Sequence, residues 1–190
     1  VAPYVTKGEA YLRVSAKART KQEAEAMINK VQEEIIKRTG EYFYGIDDEA
    51  LEDVIGKLLT EKNLTVAVAE SCTGGLISSR LTDVSGSSAY VTLNVVTYAN
   101  DAKAKLLGVK QETLLKYGAV SEQTAKEMAE GIKSLSGADF GLSITGIAGP
   151  SGGSKEKPVG LAYIGLADKN DVNVYKRLVS SKYNRADIKY

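Results

Sequence analysis

The sequence predicts a layered α/β domain preceded by a small α+β module, on three observations. From about residue 46 onward, apolar segments of strand character alternate with segments of helical period. Those strand segments are short and nearly continuously apolar, the pattern of a largely buried sheet. Upstream, one strand-like and one helix-like stretch stand apart from this alternation, and such a pair buries too little surface to be stable alone. The upstream piece is expected to dock on a larger body or to complete a sheet supplied elsewhere, with a boundary near Gly45.

Taken in order, residues 10–16 place Ala10, Leu12, Val14 and Ala16 on one face and Tyr11, Arg13 and Ser15 on the other, the period of a half-buried strand. Thr20 and Glu23 fit a capping box, and Ala24, Met27, Ile28, Val31 and Ile35 recur at helical spacing until Gly40 stops the run. Residues 41–45, EYFYG, suggest a short aromatic strand. Residues 46–48 then cap a helix carrying Leu51, Val54, Ile55, Leu58 and Leu59. Beyond it the sequence predicts strands over 64–69, 90–98, 140–144, 159–167 and 172–179, and helices over 73–82, 100–107 and 121–135. In such a domain the chemistry is expected in the connections that follow strands.

Composition narrows that chemistry. The chain has 190 residues, 43% of them hydrophobic and 26% charged, which excludes wholesale disorder. Its formal net charge of +1 is too small for the large basic surface that drives unselective nucleic-acid binding and leaves room only for a local basic patch; no nucleic-acid partner is expected. There is no histidine, which removes the usual general base and every Ser-His or Cys-His scheme. The single cysteine, Cys72, forms neither an internal disulfide nor a multi-thiolate zinc site, so a cytoplasmic setting without structural metal is the expectation. No apolar run approaches the roughly 18 residues needed to span a bilayer, and the opening VAPYVTKGEAYLRV lacks the pattern of a signal peptide. No membrane partner is expected. A start at Val1 rather than Met suggests a piece of a longer polypeptide.

Three segments could carry chemistry. In VAVAESCTGG (66–75) an apolar strand runs into a glycine pair and then a helix, with Ser71 at the turn. Free amides at a helix start can stabilise an oxyanion, a phosphate or a carboxylate. The same pattern fits a turn in which Ser71 or Thr73 merely caps the helix and Cys72 is a small buried hydrophobe. In VVTYANDAKAK (95–105) a strand ends at Tyr98, Asn100 can cap a helix, and Lys103 falls in its first turn, where the dipole and any burial lower an amine's pKa. A lysine acting as base near neutral pH needs a downward shift of roughly three units, about 4 kcal/mol, which only a desolvated site supplies. Solvated surface charge is the alternative for Lys103 and Lys105. In SITGIAGPSGGSK (143–155) a strand ends in a glycine-rich loop with several hydroxyls, suited to phosphate but lacking the P-loop and dinucleotide patterns; a flexible connection is again the alternative.

Together AESCTGG, VVTYANDAK, GAVSEQTAKEMAEG, and TGIAGPSGG followed by KPVG resemble the CinA family of competence/damage-inducible proteins, in family order and over about residues 46–190. Residues 1–45 resemble the small KH-like segment that precedes this domain in long members. The resemblance implies an α/β/α amidase domain that hydrolyses nicotinamide mononucleotide to nicotinate mononucleotide and ammonia, as a step of pyridine nucleotide salvage, by a Ser/Lys mechanism that requires no metal or cofactor. Residue by residue it implies Ser71 as nucleophile, Lys103 as general base and Tyr98 as the tyrosine that shuttles a proton or positions the serine. Thr73, Gly74 and Gly75 would supply oxyanion amides, and Thr145, Gly146, Gly149 and Arg185 would bind the substrate and its phosphate.

The resemblance also suggests a homodimer, a longer parent chain with an N-terminal molybdopterin-binding-like domain, and a final helix beyond Tyr190. The KH-like segment contains no GxxG loop of the kind that clamps a nucleic-acid backbone. The competing reading is a catalytically silent nucleotide-binding or regulatory module, which loss of Ser71 or Lys103 would have favoured. A competence or DNA-repair interaction module rests on the family name and finds no basic patch to support it.

Overall fold

The computed structural model describes residues 1–6 and 8–190, which form two compact units, Val1–Leu51 and Glu52–Tyr190. In the first unit, β1 (Ala2–Val5) pairs antiparallel with β2 (Ala10–Arg13), placing Tyr4 opposite Tyr11. The second strand was expected to be longer and half-buried. Instead it ends at Arg13 with every residue exposed, and Val14 and Ala16 lie half-buried beyond it. Its partner β1 was not anticipated, because a four-residue strand carries too little periodicity to be read.

Helix α1 (Lys21–Thr39) begins at the expected capping box. Thr20 Oγ1 accepts from the Glu23 amide at 3.1 Å, and Glu23 reaches back to the amides of Arg19 and Thr20. Gly40 ends the helix with φ +55°, a conformation a β-carbon disfavours. The aromatic strand expected at 41–45 is absent: Gly40–Tyr42 is a 3₁₀ turn followed by irregular chain. Tyr44 is held above its ordinary pKa by burial and by the neighbouring Glu9.

The second unit is a three-layer sandwich around a mixed sheet of order β4-β3-β5-β6-β7. Strands β3 (Val66–Glu70), β4 (Val91–Val96) and β5 (Phe140–Gly146) are parallel, whereas β6 (Leu161–Ala167) pairs antiparallel with β5, and β7 (Val172–Leu178) antiparallel with β6. The carboxyl ends of the three parallel strands therefore share one edge of the domain.

Alternation along fully buried β3 divides the core. Ala67 and Ala69 pack against α4 (Asn100–Leu107), α5 (Gln111–Tyr117) and α6 (Glu122–Ser136) through Ala104, Leu107, Leu114, Met128 and Ile132. Val66 and Val68 face the other layer, α2 (Leu51–Glu61) and α3 (Leu76–Asp83), through Ile55, Leu59, Ile77 and Leu81. Burying an aliphatic side chain contributes about 1.5–3 kcal/mol, so both layers stabilise the sheet substantially.

Several boundaries move for local reasons. Residues 46–48 do not cap α2; Glu49 closes that turn by accepting from the Ile46 amide at 3.0 Å, and the helix starts at Leu51. Helix α3 starts at Leu76 rather than at residue 73, because Gly74 and Gly75 hold positive φ of +68° and +101° and cannot continue a right-handed helix. Helix α4 occupies the expected span, but Ala99 is its N-cap and Asn100 its first residue. Helix α5 went unanticipated between two longer ones. The chain closes with α7 (Arg185–Lys189), capped by Asn184, whose side chain accepts from the Asp187 amide.

Candidate active site

Ser71 stands at the point where β3 leaves the sheet, and the two left-handed glycines fold the following residues into a tight turn. That turn is held by Glu70, a fully buried carboxylate that sequence reasoning passed over. One oxygen, Oε2, accepts from the amides of Gly75 at 3.0 Å and Ile77 at 3.2 Å. The other, Oε1, accepts from the Ser78 amide at 2.8 Å and the Ser78 hydroxyl at 2.6 Å. Burial pushes the Glu70 carboxyl upward, but Ser78, Thr73 and the first-turn amides outweigh it and hold its pKa below the ordinary value. Hydrogen bonds to a charged group contribute about 1.5–3 kcal/mol each, enough to fix this geometry.

This arrangement corrects the expected oxyanion hole. The Gly75 amide is taken by Glu70, and the Gly74 amide donates to the Ser71 carbonyl at 3.2 Å. Two further donors of the turn, the amides of Cys72 and Thr73, lie toward the Cys72 sulfur and favour its thiolate. Burial nevertheless prevails and raises the Cys72 thiol above its ordinary pKa. The Thr73 hydroxyl favours the ionised form of Glu70, yet its buried oxygen makes no hydrogen bond among the described residues.

Lys103 reaches the same turn from α4 and is 0% exposed. Its Nζ lies 3.0 Å from Ser71 Oγ, 2.6 Å from the Thr97 carbonyl and 3.3 Å from the Tyr98 carbonyl. Desolvation lowers its pKa from the ordinary 10.5, only partly offset by Cys72. No carboxylate forms an ion pair with it among the described residues. A neutral amine in this position donates two N–H groups to the carbonyls and turns its lone pair to the Ser71 hydroxyl, the disposition required of a general base. Two residues along, Lys105 is exposed beside Asp101 at 4.0 Å. The surface reading thus holds for Lys105 and fails for Lys103.

Tyr98 enters differently from expectation. Its carbonyl meets Lys103, while its side chain is 62% exposed and its hydroxyl accepts from Arg185 Nη2 at 2.9 Å. Neither Ser71 nor Lys103 is a hydrogen-bond partner of that hydroxyl among the described residues. Arg185 also donates through Nη1 to the Gly149 carbonyl at 2.7 Å, so it ties the residues after β4 to the glycine-rich loop after β5. The guanidinium has five N–H donors, and these two bonds leave others for a ligand.

The three binding residues expected at the end of β5 and in the loop after it separate. Gly149 has φ +69° beside a cis bond to Pro150, and a β-carbon there would stand 2.5 Å from Val159. Thr145 is buried, and its hydroxyl donates to the Ala119 carbonyl at 2.8 Å, a bond that braces the fold. Gly146 pairs with Ala162 inside the sheet, where a β-carbon would collide with the Leu161 carbonyl at 2.7 Å. Lys189 was not foreseen. Its Nζ stands 3.3 Å from where a β-carbon of Gly74 would lie, four residues and about one helical turn after Arg185. Only the fold reveals it, since nothing local marks a lysine near a chain end.

No group of three or more His, Cys, Asp or Glu side chains is placed to hold a metal ion among the described residues. No helix among them is long and apolar enough to cross a membrane. The fold and site define a three-layer α/β protein with a buried serine–lysine pair at the carboxyl edge of its parallel strands. The chain belongs to the CinA family: residues 48–190 match the CinA C-terminal domain, and residues 1–45 match the damage-inducible protein CinA KH domain.

Its relatives include a CinA-like protein of Dictyoglomus thermophilum, 52% identical over 185 residues, which cover 97% of this chain and 45% of that protein. A CinA-like protein of Kosmotoga olearia is 49% identical over 185 residues, with the same coverage. The chain thus spans less than half the length of these curated relatives. Among solved structures, competence/damage inducible protein CihA from Agrobacterium tumefaciens is 46% identical with a TM-score of 0.72, over 77% of this chain and 89% of that one. A CinA superfamily protein from Escherichia coli is 30% identical with a TM-score of 0.70, over 81% and 90%.

Proposed function

We propose that this site hydrolyses the carboxamide of nicotinamide mononucleotide to nicotinate mononucleotide and ammonia, a reaction of pyridine nucleotide salvage. The observation that carries the reading is the 3.0 Å approach of a wholly buried Lys103 amine, without a carboxylate partner among the described residues, to Ser71 Oγ. Ser71 Oγ attacks the carboxamide carbon as its proton passes to Lys103 Nζ, and the oxyanion faces the amides of Cys72 and Thr73. The tetrahedral adduct then breaks its C–N bond, and Lys103 returns the proton to the departing nitrogen, which leaves as ammonia. Water next attacks the acyl-enzyme, Lys103 takes its proton, and C–O cleavage restores the Ser71 hydroxyl and releases the carboxylate.

The substrate's phosphate is assigned to Arg185, whose guanidinium is anchored at Gly149 and Tyr98 and keeps further donors, with Lys189 as a second cation on the same short helix. A homodimer within a longer parent chain belongs to the same reading. Ammonia release from nicotinamide mononucleotide, beside folded Ser71→Ala and Lys103→Ala variants, tests it. Activity lost in both variants supports it. A folded, inactive protein, with the full parent chain equally inactive, refutes it and favours a silent nucleotide-binding module.

A further inference from the structure

Glu70 presents its carboxylate to the start of α3, where a ligand anion would otherwise find free amides. Its four acceptor contacts all go to the turn and first residues of that helix, through Gly75, Ile77 and Ser78. Alternation along β3 puts Glu70 on the face of Val66 and Val68, toward α3, whereas Lys103 belongs to the layer that covers Ala67 and Ala69. The two side chains therefore reach the turn from opposite faces of the sheet, and no ion pair joins them. Glu70 is thus placed neither to accept the serine proton nor to neutralise the base. What it grips is the chain on the far side of Ser71, from the second of the two left-handed glycines, Gly75, to Ser78.

We infer that Glu70 is the positioning residue of the nucleophile turn, a resident anion seated at the start of α3 that holds Ser71 Oγ against Lys103 and closes this helix end to the anionic part of the substrate. The inference rests on the proposed amidase reading for its catalytic consequence. The seat itself is independent of that reading, because it is built entirely from this chain's own groups. The substrate anion must then be received by cations at another point of the site, as the placement of Arg185 and Lys189 allows.

The test is Glu70→Ala, which empties the seat and leaves its donors free, assayed with formate as a small replacement carboxylate. Displacing a nucleophile by about 1 Å costs on the order of 100-fold in rate. The variant is therefore expected to lose about 100-fold in kcat with little change in KM. Excess formate is expected to restore part of that kcat and to raise the variant's melting temperature, with no effect on either quantity in the unaltered protein. Unchanged kcat in the variant, or formate that restores neither rate nor melting temperature, overturns the inference. If the unaltered protein releases no ammonia, the functional reading fails, and the formate dependence of melting still decides whether Glu70 fills an anion seat. Should Glu70→Ala not fold, Ser78→Ala removes only the 2.6 Å hydroxyl contact. It is expected to lower kcat severalfold at constant KM, and an unaltered kcat there counts against the inference.

Discussion

Replacing Lys103 by Met keeps the length and volume of the side chain while removing the buried amine, and the effect on stability depends on pH in a way that reports desolvation directly. In the folded protein the Lys103 pKa lies below the ordinary 10.5 because burial disfavours the ammonium. Between the lowered value and 10.5, the unfolded chain binds more protons than the native one, so native stability rises with pH across that window. Each unit of lowering corresponds to about 1.4 kcal/mol, which is also the slope per pH unit inside the window.

Against this stands the loss of three contacts, at 3.0, 2.6 and 3.3 Å, each contributing about 1 kcal/mol net. Lys103→Met is therefore expected to compare best with the unaltered protein below the window, where burying the ammonium costs the native state most. Its relative stability should fall by about 1.4 kcal/mol per pH unit through the window and level off above pH 10.5 at a deficit of about 3 kcal/mol. Urea denaturation of both proteins at a series of pH values measures this difference. A difference that stays flat with pH would refute the claim that Lys103 is desolvated and with it the physical basis of a neutral base. The same variant should lose at least about 1000-fold in amide hydrolysis, because general base catalysis contributes about 100- to 10,000-fold and the serine is also left unactivated.

Arg185→Ala should raise KM for the mononucleotide by about 10- to 100-fold, the equivalent of one or two hydrogen bonds to a charged group, while leaving the dephosphorylated riboside unaffected. Equal losses on both substrates would move Arg185 from phosphate binding to bracing Tyr98 and Gly149. Thr145→Val should destabilise the second unit by about 1–3 kcal/mol in urea, since the Ala119 carbonyl loses its 2.8 Å donor, without altering KM. A raised KM at unchanged stability would restore Thr145 to the substrate site. Thr20→Ala should lower the stability of α1 by about 1 kcal/mol through loss of the capping box, read by amide exchange across residues 21–30, whereas unchanged exchange would show that the cap contributes nothing.

Much of the architecture is written in local pattern. The alternation of apolar strands with helices, the capping box at Thr20 and the positive-φ glycine that ends α1 are consequences of nearest-neighbour chemistry and periodicity. The absence of histidine confined any base to another side chain before a single contact was known. Periodicity says less where elements are short, which is why β1, the turn at residues 40–42 and α5 escaped it.

The site was legible as residue types at the ends of strands, but not as relations between them. Lys103 and Lys105 look alike in sequence, yet two positions along a helix turn the side chain by about 200°, so packing of one face on Ala67 and Ala69 buries the first and leaves the second in water. Glu70 is the last residue of β3 and Ser71 the next along the chain, and they point to opposite faces. That alternation sends the carboxylate to the amides of α3 and the hydroxyl toward Lys103, 32 residues away. Sequence by itself determined which groups were present and which segments would carry them. Which amine lost its water, which amides remained free and which cations met at the glycine turn were decided by tertiary structure, because desolvation and long-range hydrogen bonding depend on what the fold brings together and not on neighbours along the chain.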